Sequence, residues 1–147
     1  MPDIALEWQR FAEFSTERLY ELLRFRQAIF VVEQRSPYPD LDGLDLEAWH
    51  LLLRIGGRLG GCLRLLPPPH LRIGRVAVAA DLRRQGMARR LMTEALGLCR
   101  ERWPPCAILL TAQLPLAGFY ESLGFSPISQ PYDDFGLAHI HMRLLPG

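Results

Sequence analysis

The chain has 147 residues, of which 49% are hydrophobic and 22% charged, as is ordinary for one soluble globular domain. Its formal net charge of +1 indicates neither nucleic acid nor an anionic membrane as a partner. All 17 basic residues are arginine, which excludes a lysine Schiff base and a lysine-bearing P-loop. We expect residues 1–147 to form a single domain.

The three cysteines, Cys62, Cys99 and Cys106, form no CxxC pair, and each lies in an apolar stretch. This pattern predicts buried free thiols in a reducing compartment rather than disulfides or a catalytic cysteine. The N-terminal residues lack the apolar segment of a signal peptide, and no apolar run is long enough to span a membrane. We therefore expect a cytoplasmic protein.

The first half of the chain alternates between strand-like and helical patterns. Ser15 is a favourable N-cap, and apolar residues then recur at helical spacing. Gly56 and Gly57 separate two apolar runs, which predicts a tight hairpin. The predicted elements are a strand at 4–8, a helix at 15–30, a loop at 34–46, and strands at 49–55 and 59–66.

The second half continues with strands that are separated by helices. We predict strands at 71–79 and 106–112, helices at 85–102 and 115–123, and a closing pair of strands at 127–132 and 139–145. Gly124 is a favourable left-handed cap for the second of these helices. The order β-α-β-β-β-α-β-α-β-β predicts an α/β protein with one mixed sheet of about six or seven strands and helices on both faces.

The turn before the second long helix is the most informative segment. It reads Arg83-Arg84-Gln85-Gly86-Met87-Ala88-Arg89-Arg90, between a strand-like and a helix-like run. A helix start leaves backbone N–H groups unpaired, and the helix dipole adds partial positive charge there. With four arginines around it, this turn predicts a site for a phosphate or pyrophosphate group, and hence a phosphorylated cofactor.

Three aspartates in the loop, Asp40, Asp42 and Asp45, resemble a calcium-binding loop only loosely. The EF-hand pattern needs glutamate at its twelfth position, where this chain has Leu51. The sequence therefore predicts no metal site, and it leaves these aspartates as groups that could attract a cationic amine.

Four motifs in the same order resemble the GNAT superfamily of acyl-CoA-dependent N-acetyltransferases, and more closely its ElaA-like branch. Two are the Arg83-x-x-Gly86-x-Ala88 turn and the segment Phe119-Tyr120-Glu121-Ser122-Leu123-Gly124-Phe125. The others are Phe30-Val31-Val32-Glu33-Gln34 with Pro37-Tyr38-Pro39-Asp40-Leu41-Asp42-Gly43, and His139-Ile140-x-Met142. The resemblance covers about residues 4 to 145.

The resemblance implies acetyl-CoA as co-substrate, with its pyrophosphate on the backbone amides of the Gly86 turn. It also implies that the strand at 71–79 separates from a parallel neighbour and offers main-chain groups to the pantetheine arm, with an amide near Val76 polarising the thioester. The implied cofactor contacts are Val76, Ala77, Val78, Arg83, Arg84, Gln85, Gly86, Met87, Ala88, Arg89, Gln113, Phe119 and Tyr120. Gln113 stands where the superfamily often has asparagine.

Tyr120 is the candidate general acid, because the CoA thiolate that leaves must be protonated. The acceptor amine must lose a proton, and the candidates for that base are Glu33, His139 and His50. The expected acceptor is a primary amine of a small molecule or peptide, attacking directly in a ternary complex.

Two alternatives remain open at this stage: a non-catalytic acyl-CoA-binding module, and an enzyme with another acyl donor, such as an acyl-homoserine-lactone synthase. The resemblance also allows a homodimer, since exposed late strands in such proteins often pair between subunits. The chain departs from the ElaA-like pattern at Ser36, usually cysteine, and at Phe135 and Ala138 ahead of the last histidine motif.

Overall fold

A computed structural model describes residues 3–147 of the chain. Its strands are Ile4–Arg10 (β1), Trp49–Ile55 (β2), Arg58–Leu66 (β3), Arg72–Val78 (β4), Ile108–Gln113 (β5), Ser126–Pro127 (β6), Tyr132–Asp134 (β7) and Leu137–Leu144 (β8). The α-helices are Thr16–Gln27 (α1), Met87–Arg102 (α2) and Ala117–Glu121 (α3). The eight strands form one mixed sheet in the order β1-β2-β3-β4-β5-β8-β6, with β7 also pairing with β8. The predicted α/β class and mixed sheet are confirmed.

The closing pair of strands differs from its prediction. The segment predicted as one strand at 127–132 forms two short strands, β6 and β7, which pair with different parts of β8. Proline has no N–H to donate, so Pro127 and Pro131 interrupt a continuous ladder. Phe135 and Gly136 have φ of 52° and 86°, and they form the tight turn that joins β7 to β8. The sheet therefore has eight strands, where about six or seven were expected.

The two faces of the sheet are covered by different helices. Helix α2 packs its apolar stripe, which includes Leu91, Met92 and Ala95, into the larger core cluster. Helix α1 begins after Ser15, whose hydroxyl accepts a hydrogen bond from the Arg18 N–H at 3.2 Å. Its buried Leu22 packs against the opposite face in a second apolar cluster. The sheet is thus apolar on both faces, as its strand sequences require.

The first helix changes its winding before it ends. The α-helical part stops at Gln27, and Ala28–Glu33 continues as a π-helix, three residues beyond the predicted end at Phe30. Single π-turns inside helices are frequent at functional sites. Phe30, which lies in this wider turn, lines a cleft between β4 and β5.

The parallel strands β4 and β5 pair only near their N-terminal ends. Arg72 is in register with Leu109, and the Leu109 N–H donates to the Leu71 carbonyl at 3.0 Å. No further β4–β5 pair occurs among the described residues, so the strands diverge towards Val78 and Gln113. The pairing of β4 with its other neighbour, β3, is irregular in the same region and contains a bulge. Arg75 lies in this bulge, with φ of 53°. The divergence leaves main-chain groups of β4 facing a cleft.

Two cysteines match their prediction and one does not. Cys62 and Cys99 are buried free thiols, whereas Cys106 is exposed. Strand β5 begins at Ile108 rather than at the predicted residue 106, so Cys106 lies in the turn that follows Pro104 and Pro105. Within residues 3–147, no helix is both long and apolar enough to cross a lipid bilayer.

Candidate active site

A cleft with a volume of about 300 Å³ opens where β4 and β5 separate. Four of the predicted site residues line it: Val76 on β4, Gln113 at the end of β5, Tyr120 on α3 and His139 on β8. They come from four different elements, which meet at this point because β5 lies between β4 and β8 in the sheet. The cleft therefore joins the predicted pantetheine strand, the predicted acid and one predicted base.

Tyr120 is only 6% exposed and packs edge-on against Phe119 and Phe125, with ring centroids 5.0 and 6.3 Å away. Burial alone raises the pKa of Tyr120 to about 12. The phenol is therefore fully protonated at neutral pH and available as a proton donor.

His139 is buried at the cleft, and hydrogen bonding fixes its tautomer. Its Nδ1 lies 2.8 Å from the Leu137 carbonyl oxygen, which only accepts hydrogen bonds, so Nδ1 carries the proton. In the neutral ring the lone pair is then on Nε2, which is the arrangement a general base needs. His139 faces Gln113 in the β5–β8 register and lies beside the ring of Tyr132.

Glu33 lies outside the cleft and is held by an arginine of the Gly86 turn. Arg83 donates to both carboxylate oxygens, at 2.6 and 2.9 Å, and its Nε donates to the Val78 carbonyl. The hydrogen bond from Arg83 lowers the pKa of Glu33. The pair connects the π-helix to the end of β4, and it reduces the basicity of the carboxylate.

His50 is also outside the cleft. It is 1% exposed, and its Nε2 donates to the Asp45 carbonyl oxygen at 2.9 Å. Burial lowers the pKa of His50. Its contacts tie β2 to the short turn at 44–46, so of the three candidate bases only His139 lines the cleft.

The turn before α2 has the features predicted for an anion site. Arg84 and Gly86 have φ of 61° and 82°, and Gly86 is the N-cap of α2 with no side-chain cap. The Arg90 N–H donates to the Gly86 carbonyl, which is the first hydrogen bond of helix α2. The N–H groups of residues 87–89 therefore have no acceptor within the helix. Gly86 is exposed, and a Cβ built on it would meet no atom within 4 Å.

Three other residues of this turn attach it to neighbouring parts of the protein. The Gln85 amide donates to the Asp81 carbonyl at 3.0 Å, and Met87 is buried in the core. Arg89 donates to the Ser122 hydroxyl at 2.8 Å, and its guanidinium lies 5.5 Å from the centre of the Phe119 ring. Through Arg89, the start of α2 contacts the segment that carries Tyr120.

The three loop aspartates take part in a closed ring of alternating charges, which we call the charge ring. Each aspartate pairs with two arginines and each arginine with two aspartates, at N–O distances of 2.8 to 3.1 Å. In order, the members are Arg26, Asp40, Arg75, Asp42, Arg64 and Asp45. The aspartate charges are thus neutralised by arginines from α1, β3 and β4 and are not free to attract an amine, and no metal-holding group of acidic, His and Cys side chains occurs in residues 3–147.

The charge ring attaches the loop to the helix and the sheet. Arg26, 1% exposed, donates to Asp40 and Asp45 from α1. Arg75 stacks on the Tyr38 ring at 4.8 Å, so it places Tyr38 against the cleft. This arrangement could not be predicted from the sequence, because its six members come from four separate segments: α1, the loop, β3 and β4.

Acid should weaken the fold through this ring. Burial by itself would raise the pKa of Asp42 and of Asp45, but hydrogen bonds and charges of the arginines outweigh it and both pKa values lie below the ordinary range. A carboxyl group whose pKa is lower in the folded than in the unfolded protein stabilises the fold at pH values above its unfolded pKa, about 3.9. It loses that contribution as the pH falls towards its folded pKa. We expect the free energy of unfolding to decrease below about pH 4. Urea unfolding of wild type and Asp42→Asn between pH 3 and pH 7 should show a smaller pH dependence in the variant.

The exposed Glu47→Gln variant is the control for that series and should retain the wild-type pH dependence, because Glu47 is exposed and makes no ion pair in the described chain. An unchanged slope in Asp42→Asn would contradict the assignment to the charge ring.

Two positions that depart from the ElaA-like pattern contact each other. The Ser36 hydroxyl donates to the Phe135 carbonyl at 2.9 Å, and the Phe135 ring lies edge-on to Tyr38. The loop and the β7–β8 turn are therefore joined beside Tyr38, which lines the cleft.

Several residues of the cleft were not predicted as site residues. They are Phe30, Tyr38, Arg72, Thr111, Tyr132 and Asp134. Tyr38 lies within a motif that carried the resemblance, so its presence near the site could have been expected. Arg72 and Asp134 lie in segments without a motif, and only the sheet register brings them to the cleft.

Comparison with known proteins defines the class. The fold is similar to the crystal structure of Escherichia coli ElaA, with a TM-score of 0.90 at 36% identity over 97% of this chain and 99% of the other. An acyl-CoA N-acyltransferase from Pseudomonas aeruginosa gives 0.89 at 34% identity, again covering 97% and 99%. At 17% identity, the homoserine lactone synthase BjaI shares the fold, with a TM-score of 0.81. The fold is that of acyltransferases that bind acyl-CoA.

The sequence comparisons assign the family. The model of the acetyltransferase (GNAT) domain matches residues 31–146. The protein ElaA of Escherichia coli K12 is 39% identical over 145 residues, which is 93% of this chain and 95% of that protein. A UPF0039 protein of Synechocystis is 37% identical over 95% of this chain and 94% of its own length. The chain belongs to the GNAT acetyltransferase family and is ElaA-like.

Proposed function

We propose that the protein is an N-acetyltransferase that transfers an acetyl group from acetyl-CoA to a primary amine of a small molecule or peptide. The observation that carries this proposal is the cleft itself, in which diverging main-chain groups of β4 meet the protonated phenol of Tyr120 and the imidazole of His139. These groups match the needs of amide formation from a thioester: a binding strand, an acid and a base.

The residues present fit coenzyme A in two respects. Its pantetheine arm carries amides, and β4 beyond Arg72 has main-chain groups that β5 does not pair. Its diphosphate would rest on the N–H groups of the Gly86 turn, where two left-handed residues and the α2 N-terminus favour an anion. We infer that an amide near Val76 polarises the thioester carbonyl.

In the proposed reaction the acceptor amine attacks the thioester carbon directly, in a ternary complex. His139 takes a proton from the amine through Nε2, directly or through water. The carbon–sulfur bond breaks, and the sulfur takes the bonding electrons and leaves as the CoA thiolate. Tyr120 supplies the proton to that thiolate.

Steady-state assays of thiol release, with acetyl-CoA and a panel of primary amines, test this function. We expect amine-dependent release of CoA together with formation of the acetylated amine, seen by mass spectrometry. Binding of acetyl-CoA without turnover of any amine would favour the non-catalytic module instead. A series of acyl-CoA donors of increasing chain length tests the donor, and we expect the acetyl donor to give the highest kcat/KM.

A substitution at Gly86 should separate cofactor binding from folding. In Gly86→Val the turn must hold a β-branched residue at φ 82°, a conformation that costs roughly 1–2 kcal/mol, and the side chain enters the open space beside the turn, where we expect the diphosphate to approach. We expect the Kd of acetyl-CoA, measured by titration calorimetry, to rise at least about tenfold, as loss of one or two charge-assisted hydrogen bonds would produce.

Gly57→Val is the matched control for that variant. Gly57 has φ 83° and equally open space, but it lies in the β2–β3 hairpin. The control should lose similar stability and retain the wild-type Kd. An unchanged Kd in Gly86→Val would overturn the assignment of the diphosphate to this turn.

A further inference from the structure

The charged side chains of the cleft fall into two groups. Asp42, Arg64 and Arg75 belong to the charge ring, where arginine and aspartate charges balance. Arg72 and Asp134 also line the cleft, and neither forms an ion pair within residues 3–147. The cleft thus presents one cation and one anion whose charges are not neutralised by the protein.

Most N–H donors of the Arg72 guanidinium have no acceptor within residues 3–147. It lies at the start of β4, is half-buried, and makes one long hydrogen bond, from Nη1 to the Thr111 hydroxyl at 3.3 Å. That hydroxyl lies closer to His141 Nδ1, at 2.9 Å, so its hydrogen bond with Arg72 is weak. A guanidinium has five N–H donors in a planar fork, which suits a carboxylate or a phosphate group.

Asp134 and the aromatic rings of the cleft suit a cation. Asp134 is the last residue of β7 and Tyr132 is the first, and both line the cleft together with Phe30 and Tyr38. A carboxylate attracts a protonated amine, and the faces of aromatic rings attract ammonium groups. The cleft can therefore hold a positive and a negative group of one small molecule.

We propose that the acceptor carries an anionic group, a carboxylate or a phosphate, in addition to its amine. Arg72 binds the anionic group, and Asp134 attracts the amine while it is still protonated. The inference rests on the proposed function and specifies the substrate class of the same cleft. Arg72 then determines specificity for the acceptor and contributes nothing to donor binding.

Matched pairs of acceptors test this inference. The pairs are phenylalanine with phenethylamine, lysine with cadaverine, and phosphoethanolamine with ethanolamine, assayed by thiol release with acetyl-CoA. In wild type we expect the anionic member of a pair to have the higher kcat/KM, by about tenfold or more, as one charge-assisted bidentate contact would give. The first two pairs test a carboxylate, and the third tests a phosphate.

Arg72→Gln should abolish this preference while the KM of acetyl-CoA is unchanged. Asp134→Asn should lower kcat/KM for both members of a pair alike. Arg100→Gln, an exposed arginine near the end of α2, is the control and should keep the preference. Turnover of amines with no preference for the anionic members, or a preference that survives in Arg72→Gln, overturns this inference alone. Turnover of no amine overturns the proposed function and this inference with it.

Discussion

Replacing Tyr120 with phenylalanine should lower kcat about a hundredfold or more, the range in which general acids contribute. The substitution removes one hydroxyl group and keeps the ring, which packs against Phe119 and Phe125. Without the phenol, the CoA sulfur must leave as an unprotonated thiolate or wait for water. The KM of acetyl-CoA should change little, because the lost contact acts on the leaving group rather than on the bound donor.

The control for this measurement is Tyr20→Phe, which removes the same hydroxyl from an exposed residue of α1. It should leave kcat at the wild-type value, and both variants should unfold at the wild-type temperature within a few degrees. Because burial raises the pKa of Tyr120 to about 12, its ionisation should not lower the wild-type rate below about pH 10. Wild-type kcat in Tyr120→Phe would show that another group protonates the sulfur.

Replacing Arg26 with methionine should destabilise the fold by about 3–5 kcal/mol, since it leaves two buried carboxylates with only one of their two arginine partners each. Asp40 and Asp45 are 6% and 7% exposed, and each loses a guanidinium at 3.0 Å or less. Methionine fills a similar volume and maintains helix α1, so the effect reports on the charge rather than on packing. Urea unfolding at pH 7 measures the change.

Arg24→Met is the matched control for that experiment, because Arg24 is exposed on the same helix one half-turn earlier. Its effect should remain within about 0.5 kcal/mol of wild type, as for most surface substitutions. Equal stability of the two variants would mean that the charge ring contributes little to the fold. The double variant Arg26→Met with Asp45→Asn should recover part of the loss, because it removes one of the two carboxylates that lose a partner.

The sequence predicts the fold well where short-range patterns determine it. The hairpin at Gly56 and Gly57 forms with both residues at positive φ, and Gly124, at 101°, adopts the left-handed conformation expected of a helix cap. Helix α2 starts at Met87 instead of the predicted residue 85, because Gly86 is the N-cap. These features depend on backbone preferences of single residues, which a sequence displays directly.

The arrangements that the sequence does not predict depend on contacts between distant segments. Neither the pairing of Arg83 with Glu33 nor that of Arg26 with Asp40 and Asp45 follows from spacing along the chain. The same holds for His50, whose ring is turned towards a backbone carbonyl of the loop. A residue type suggests what chemistry is available, but the register of the sheet decides which groups reach the cleft.

The measurement that tests the account most directly is a crystal structure with a non-transferable acetyl-CoA analogue bound. We expect the diphosphate oxygens within hydrogen-bond distance of backbone N–H groups at residues 86–89, and the sulfur within reach of the Tyr120 hydroxyl. A diphosphate held elsewhere, or an acyl group that lies outside the opening between β4 and β5, would contradict it.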